Sequence, residues 1–190
     1  MFTQLYLILL KLAKGRYATV LLSGIAFSES IIFPIPPDTV LLPMALANRK
    51  KAFYFATLTT FFSVIGGAVG YMIGFFFWDS FGQSLIETLG YTNTYLTFSD
   101  LYKEYGVLLI LIGALSPVPF KVVAILSGLF TYPFLIFVLV ALISRAFRFY
   151  LLTAIVYIWG EQIDTFLKNY SALAFGIILL LIAATFMVLK

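Results

Sequence analysis

The chain has 190 residues, of which 63% are hydrophobic and 11% charged, with a formal net charge of +4 and a mean hydropathy of +1.07. Soluble domains are about 45–50% apolar, so this composition excludes an ordinary soluble fold and points to an all-α integral membrane protein. The absence of cysteine and histidine excludes disulfides, thiol nucleophiles, Cys/His zinc sites and histidine-based triads. Residues 1–16 read as an interfacial N-terminal helix. Leu5, Ile8, Leu9 and Leu12 share one face, and Lys11 and Lys14 lie near its end.

The segment 17–47 is apolar except for Glu29 and Asp38, and it contains Pro34, Pro36 and Pro37. Proline removes a backbone donor and disfavours helix in the residue before it. Lys14 and Arg16 precede the segment and Arg49-Lys50-Lys51 follow it. Positive charge on both flanks places both ends on the cytoplasmic side. The segment is therefore expected to be a re-entrant hairpin with its proline-rich tip at membrane depth. Residues 52–78 follow as a transmembrane span. In it Gly66, Gly70 and Gly74 recur every four residues, a small-residue face for close helix packing.

Residues 79–105 carry Asp79, Glu87, Asp100, Lys103 and Glu104 and read as an external segment. Residues 106–130 form a second proline-broken hairpin, with Pro117 and Pro119 at its break. Residues 134–160 form a span that carries Arg145 and Arg148, and 171–189 a C-terminal transmembrane helix without charge. The two proline clusters align, with Asp38 in the first matching Lys121 in the second. Each is followed by a long span ending in a similar phrase, Tyr71-Met72-Ile73-Gly74 and Tyr157-Ile158-Trp159-Gly160. The pattern predicts an inverted repeat: two re-entrant hairpins of opposite orientation, each followed by a transmembrane helix. Broken helices meeting near the midplane are the plan of many secondary transporters.

Glu29, Asp38, Lys121, Arg145 and Arg148 sit where burial in the membrane is expected. Each costs at least about 2.5–3.5 kcal/mol in lipid unless paired or wetted. Arg145 and Arg148 share one helical face, and paired guanidinium groups suit a phosphate or a carboxylate. They are read either as phosphate-binding groups or as salt-bridge partners of Glu29 and Asp38. A carboxylate taken out of water is held less firmly in its charged form, so Glu29 and Asp38 are read as proton-responsive. For Asp38 a second reading is a cap on the returning half-helix. Lys121 is expected to pair with Asp38 or to meet an anionic ligand. No nucleophile–base pair, phosphate loop or metal constellation occurs in the sequence; neither catalysis nor a cofactor is expected.

Phe27-x-Glu29 with Pro34-Ile35-Pro36-Pro37-Asp38, Ser116-Pro117-Val118-Pro119-Phe120-Lys121, and Ser144-Arg145-Ala146-Phe147-Arg148-Phe149-Tyr150 together resemble the DedA family. It is also called the SNARE-associated Golgi protein or VTT-domain family, and the proline motifs resemble its YqaA-like bacterial branch. The resemblance covers 17–165. It implies two opposed re-entrant hairpins, lipid movement between leaflets, often with proton dependence, and a bacterial inner-membrane, multi-pass location. The lipids it implies are undecaprenyl phosphate or phospholipids. The more typical family pattern has an arginine just before the second proline motif, where this chain has Leu115 and Ser116. The expected function is thus a flippase or scramblase for an anionic lipid. Glu29 and Asp38 would respond to protons, and Lys121, Arg145 and Arg148 would receive the phosphate. The alternative is a proton-coupled transporter of a small solute or ion. A third reading is an assembly protein docking through Gly66, Gly70 and Gly74. Membrane lipids and protons are the expected partners, nucleic acid is not, and a homo-oligomer is left open.

Overall fold

The computed structural model describes residues 17–32, 35–116 and 119–188, with side chains at 83, 161 and 163–188 left out of the description. The expected interfacial helix 1–16 and the break residues Pro34 and Pro117 lie outside the described residues. Seven α-helices occur and no strand is present among the described residues. They are α1 (Ala18–Glu29), α2 (Asp38–Ala47), α3 (Ala52–Phe77), α4 (Gln83–Thr88), α5 (Thr92–Leu115), α6 (Phe120–Leu129) and α7 (Phe134–Val188).

The order contains two helix–break–helix units, α1/α2 and α5/α6, each followed by a long helix. Prolines stand at both breaks. Pro37 precedes the first residue of α2, and Pro119 precedes α6 with Ser116 already extended. At about 1.5 Å per residue, α1, α2 and α6 are about 15–18 Å long, half of a hydrocarbon core of about 30 Å. None of them crosses a membrane alone. By length and composition Arg49–Gly82 and Phe134–Gly160 are long and apolar enough to do so.

The second unit differs from its sequence reading. Its first limb begins at Thr92, so residues 92–105 are helical and continuous with the apolar 106–115. The charges there sit on the outside of the helix, where Lys103 and Asp100 form an exposed pair at 3.4 Å. The backbone from Phe134 to Val188 is one helix, and the expected C-terminal span 171–189 falls where side chains are not described.

Helix α3 is the central element and packs against α1, α2, α6 and α7. Its small residues allow this. A Cβ at Gly66 would strike the Phe27 carbonyl of α1, and one at Gly74 the Ile125 carbonyl of α6. Gly70 lies against Ser30 and Ala124. The four-residue glycine face is thus filled by the chain's own broken helices. Two apolar clusters result. One gathers Tyr71, Ile110, Phe120, Val123, Phe137 and Ala141; the other gathers Leu22, Leu41, Met44, Phe55, Ala56 and Phe149. Outside them, large apolar side chains face outward, among them Phe61, Phe76, Leu135, Ile143 and Phe147. Exposed apolar surface on that scale suits hydrocarbon rather than water.

The Tyr71 hydroxyl, buried on α3, donates to the backbone carbonyl of Tyr132 at the α6–α7 turn. Tyr71→Phe leaves that carbonyl without its donor. The expected cost is about 1–2 kcal/mol, visible as a lowered melting temperature in detergent.

Candidate functional site

Between the two apolar clusters α3 and α7 turn polar. Thr59, Thr60 and Ser63 are buried on α3, and Ser144 and Arg145 on α7. Arg145 is 4% exposed and Glu29 7%. Arg145 Nη2 donates to Glu29 Oε2 at 2.7 Å, and its Nε donates to Ser63 Oγ at 2.8 Å. Ser63 Oγ in turn lies 3.0 Å from Ser30 Oγ, which also donates to the Ala26 carbonyl. The guanidinium carbon stands 4.5 Å from the Phe120 ring centre and 5.0 Å from that of Phe149. Both are cation–π distances. A charged pair taken out of water holds only where its remaining hydrogen-bonding groups find partners, and the hydroxyls and rings supply them.

One turn further along α7, Arg148 makes a second pair. Its Nη2 donates to Asp38 Oδ2 at 2.6 Å. Its Nη1 donates to the carbonyls of Leu115 and Ser116 at 3.1 and 3.0 Å. Those carbonyls end α5, where the helix leaves its last acceptors unpaired and its dipole is negative. This pair is more open, with 24% of the Arg148 side chain and 19% of the Asp38 side chain exposed. It is also incompletely satisfied: Asp38 Oδ1 and Arg148 Nε are buried without a hydrogen-bond partner among the described residues.

The expected site residues therefore come together at the two breaks, with particular partners. Glu29 pairs with Arg145 and Asp38 with Arg148. Asp38 is the first residue of α2, after Pro37 at the N-cap position, and its Oδ2 accepts from Arg148. Lys121 does not pair with Asp38; its Nζ donates to the Ile32 carbonyl at the first break, at 2.9 Å. The first break is thus tied by Lys121 from the second half of the chain, and the second by Arg148 from the same half. The charge of the arginine that the second proline motif lacks comes to Leu115 and Ser116 from Arg148. Sequence reasoning missed Ser30, Ser63, Phe120 and Phe149. Hydroxyls at three- and four-residue spacing within an apolar span were the available signal for Ser63. Among the described residues no cluster of acids or other ligating side chains is placed to hold a metal ion.

The architecture defines an all-helical membrane protein whose charged residues pair the first broken helix with the long helix α7. The chain belongs to the VTT-domain family, also called DedA, whose model matches residues 33–158. That family is one of membrane proteins of the transporter type and is not a known enzyme family. An uncharacterized protein of Haemophilus influenzae is 34% identical over 175 residues, covering 92% of this chain and 91% of its own. Another, from Histophilus somni, is 35% identical over 189 residues, covering 100% of this chain and 98% of its own. A third, from Methanocaldococcus jannaschii, is 24% identical over 65% of this chain and 74% of its own. No solved structure gives a significant match.

Proposed function

We propose that the protein moves an anionic lipid, a phospholipid or a polyprenyl phosphate, between leaflets of a bacterial inner membrane. In this reading α1/α2 and α5/α6 are re-entrant hairpins of opposite orientation whose breaks meet at membrane depth. The observation that carries it is the unfinished pair Asp38–Arg148, about a fifth exposed and with an atom on each side unpartnered among the described residues. Beside the two acid–arginine pairs stands Lys121, which forms no ion pair among the described residues. The junction of the breaks thus has one more cation than anions, which favours a phosphate.

Arg148 and Lys121 make the first contacts with the headgroup. Arg145, enclosed by Glu29, Ser63 and two rings, joins only when Glu29 takes up a proton and releases it. Protonation of Asp38 frees Arg148 in the same way, and deprotonation re-forms the pairs and expels the lipid.

The test is lipid movement in proteoliposomes, followed by quenching fluorescent lipid analogues in the outer leaflet. Arg148→Ala is expected to slow an anionic lipid at least about tenfold, the equivalent of one lost charge-assisted hydrogen bond. Lys121→Gln slows it less. Folded variants that move lipid at the normal rate would overturn the reading. Proton or solute flux without lipid movement would instead identify a small-solute transporter using the same charges.

A further inference from the structure

On the flank of α1 and α3, away from the charged network, lies an open groove of about 540 Å³. Val20, Gly24 and Phe27 line it from α1, and Tyr54, Phe62 and Ile65 from α3; no charged residue does. Tyr54 to Ile65 spans about 16 Å at 1.5 Å per residue, the depth of one leaflet of a hydrocarbon core of about 30 Å. Lys50 and Lys51 stand four and three residues before Tyr54, on the turn that leads into α3. Both are exposed, and neither forms an ion pair among the described residues.

Gly24 is what opens the groove. Glycine within a helix is unfavourable relative to alanine, and the helical glycines of α3 are explained by the backbone or side chains that touch them. A Cβ at Gly24 would meet nothing within 4 Å. Among the described residues no packing accounts for the missing side chain, and its absence leaves the floor of an apolar slot one leaflet deep with two lysines at its mouth.

We propose that this groove binds one acyl chain of an anionic phospholipid, with the phosphate against Lys50 and Lys51. None of Glu29, Asp38, Lys121, Arg145 or Arg148 lines it. It is a resident-lipid site, independent of the lipid-moving reading above.

Native mass spectrometry of the full chain, purified with phosphatidylglycerol and phosphatidylcholine of identical acyl chains, tests this. The wild type is expected to retain one phosphatidylglycerol in preference to phosphatidylcholine. Gly24→Leu, whose Cβ would meet nothing within 4 Å, is expected to cut retention about tenfold or more with the melting temperature preserved. Val20→Trp, at an exposed lining position, fills the same slot from another point. Lys50→Glu with Lys51→Glu is expected to abolish the preference for phosphatidylglycerol while a lipid is still held. The proposal is overturned if both slot-filling variants keep the lipid, or if the wild type does not discriminate between the two. It also falls if the spectra show a dimer that Gly24→Leu dissociates, making the groove an interface between copies. A disulfide forming readily between Gly24→Cys and Leu9→Cys, in a chain with no other cysteine, would assign the groove to the N-terminal segment instead.

Discussion

Arg145→Ala is expected to cost the fold about 3–5 kcal/mol, the usual penalty for removing one partner of a buried ion pair. Glu29, 7% exposed in the intact protein, would keep among the described residues only the Ser30 hydroxyl, at 3.4 Å, as a partner. Ser63 would lose the donor to its hydroxyl, and the space between Phe120 and Phe149 would empty. Replacing both partners with apolar residues of similar volume, Glu29→Leu with Arg145→Met, removes the uncompensated charge. Such replacements are often near neutral, so the double variant should be more stable than Arg145→Ala. Thermal unfolding in detergent measures both. A loss below about 1 kcal/mol for Arg145→Ala, the worth of an exposed pair, would mean that the network does not hold α1 to α7.

Gly128→Ala and Gly74→Ala are the second pair of large effects. The helices α3 and α6 cross with each glycine against the other's backbone. A Cβ at Gly128 would overlap the Tyr71 carbonyl, and one at Gly74 the Ile125 carbonyl. Main chain on both sides cannot rotate away as a side chain can. Each substitution must separate the helices, at an expected cost of about 3 kcal/mol or more. Gly24→Ala is the control, because it fills open space in a helix interior and should stabilise by up to about 1 kcal/mol. Folded yield by size-exclusion chromatography and melting temperature distinguish the two cases. Equal behaviour of Gly128→Ala and Gly24→Ala would refute the close crossing.

What was legible in the sequence follows from what single residues impose. The prolines placed both breaks, and an uncharged stretch placed α3 almost to the residue, 52–78 against Ala52–Phe77. The need to neutralise buried charge gave the two acid–arginine pairs as one of two readings. The start of α5 at Thr92 was hidden because Asp100, Lys103 and Glu104 lower the average hydropathy of a helix whose charges lie outward. The cage around Arg145 was half legible. Phe149 is four residues along the same helix and could have been named, but Phe120 comes from another helix. The partner of Lys121 and two of the three of Arg148 are backbone carbonyls, which have no letter in the sequence.

The ties across the breaks have a consequence for biogenesis. Glu29 is separated from Arg145 by 116 residues, Asp38 from Arg148 by 110, and the Ile32 carbonyl from Lys121 by 89. At about 5–20 residues per second, the first broken helix leaves the ribosome roughly ten seconds before its counter-charges exist. During that interval its acids and open carbonyls need water or the insertion machinery. If the first broken helix is re-entrant as proposed, it is expected to settle at its final depth only after Lys121, Arg145 and Arg148 have been made.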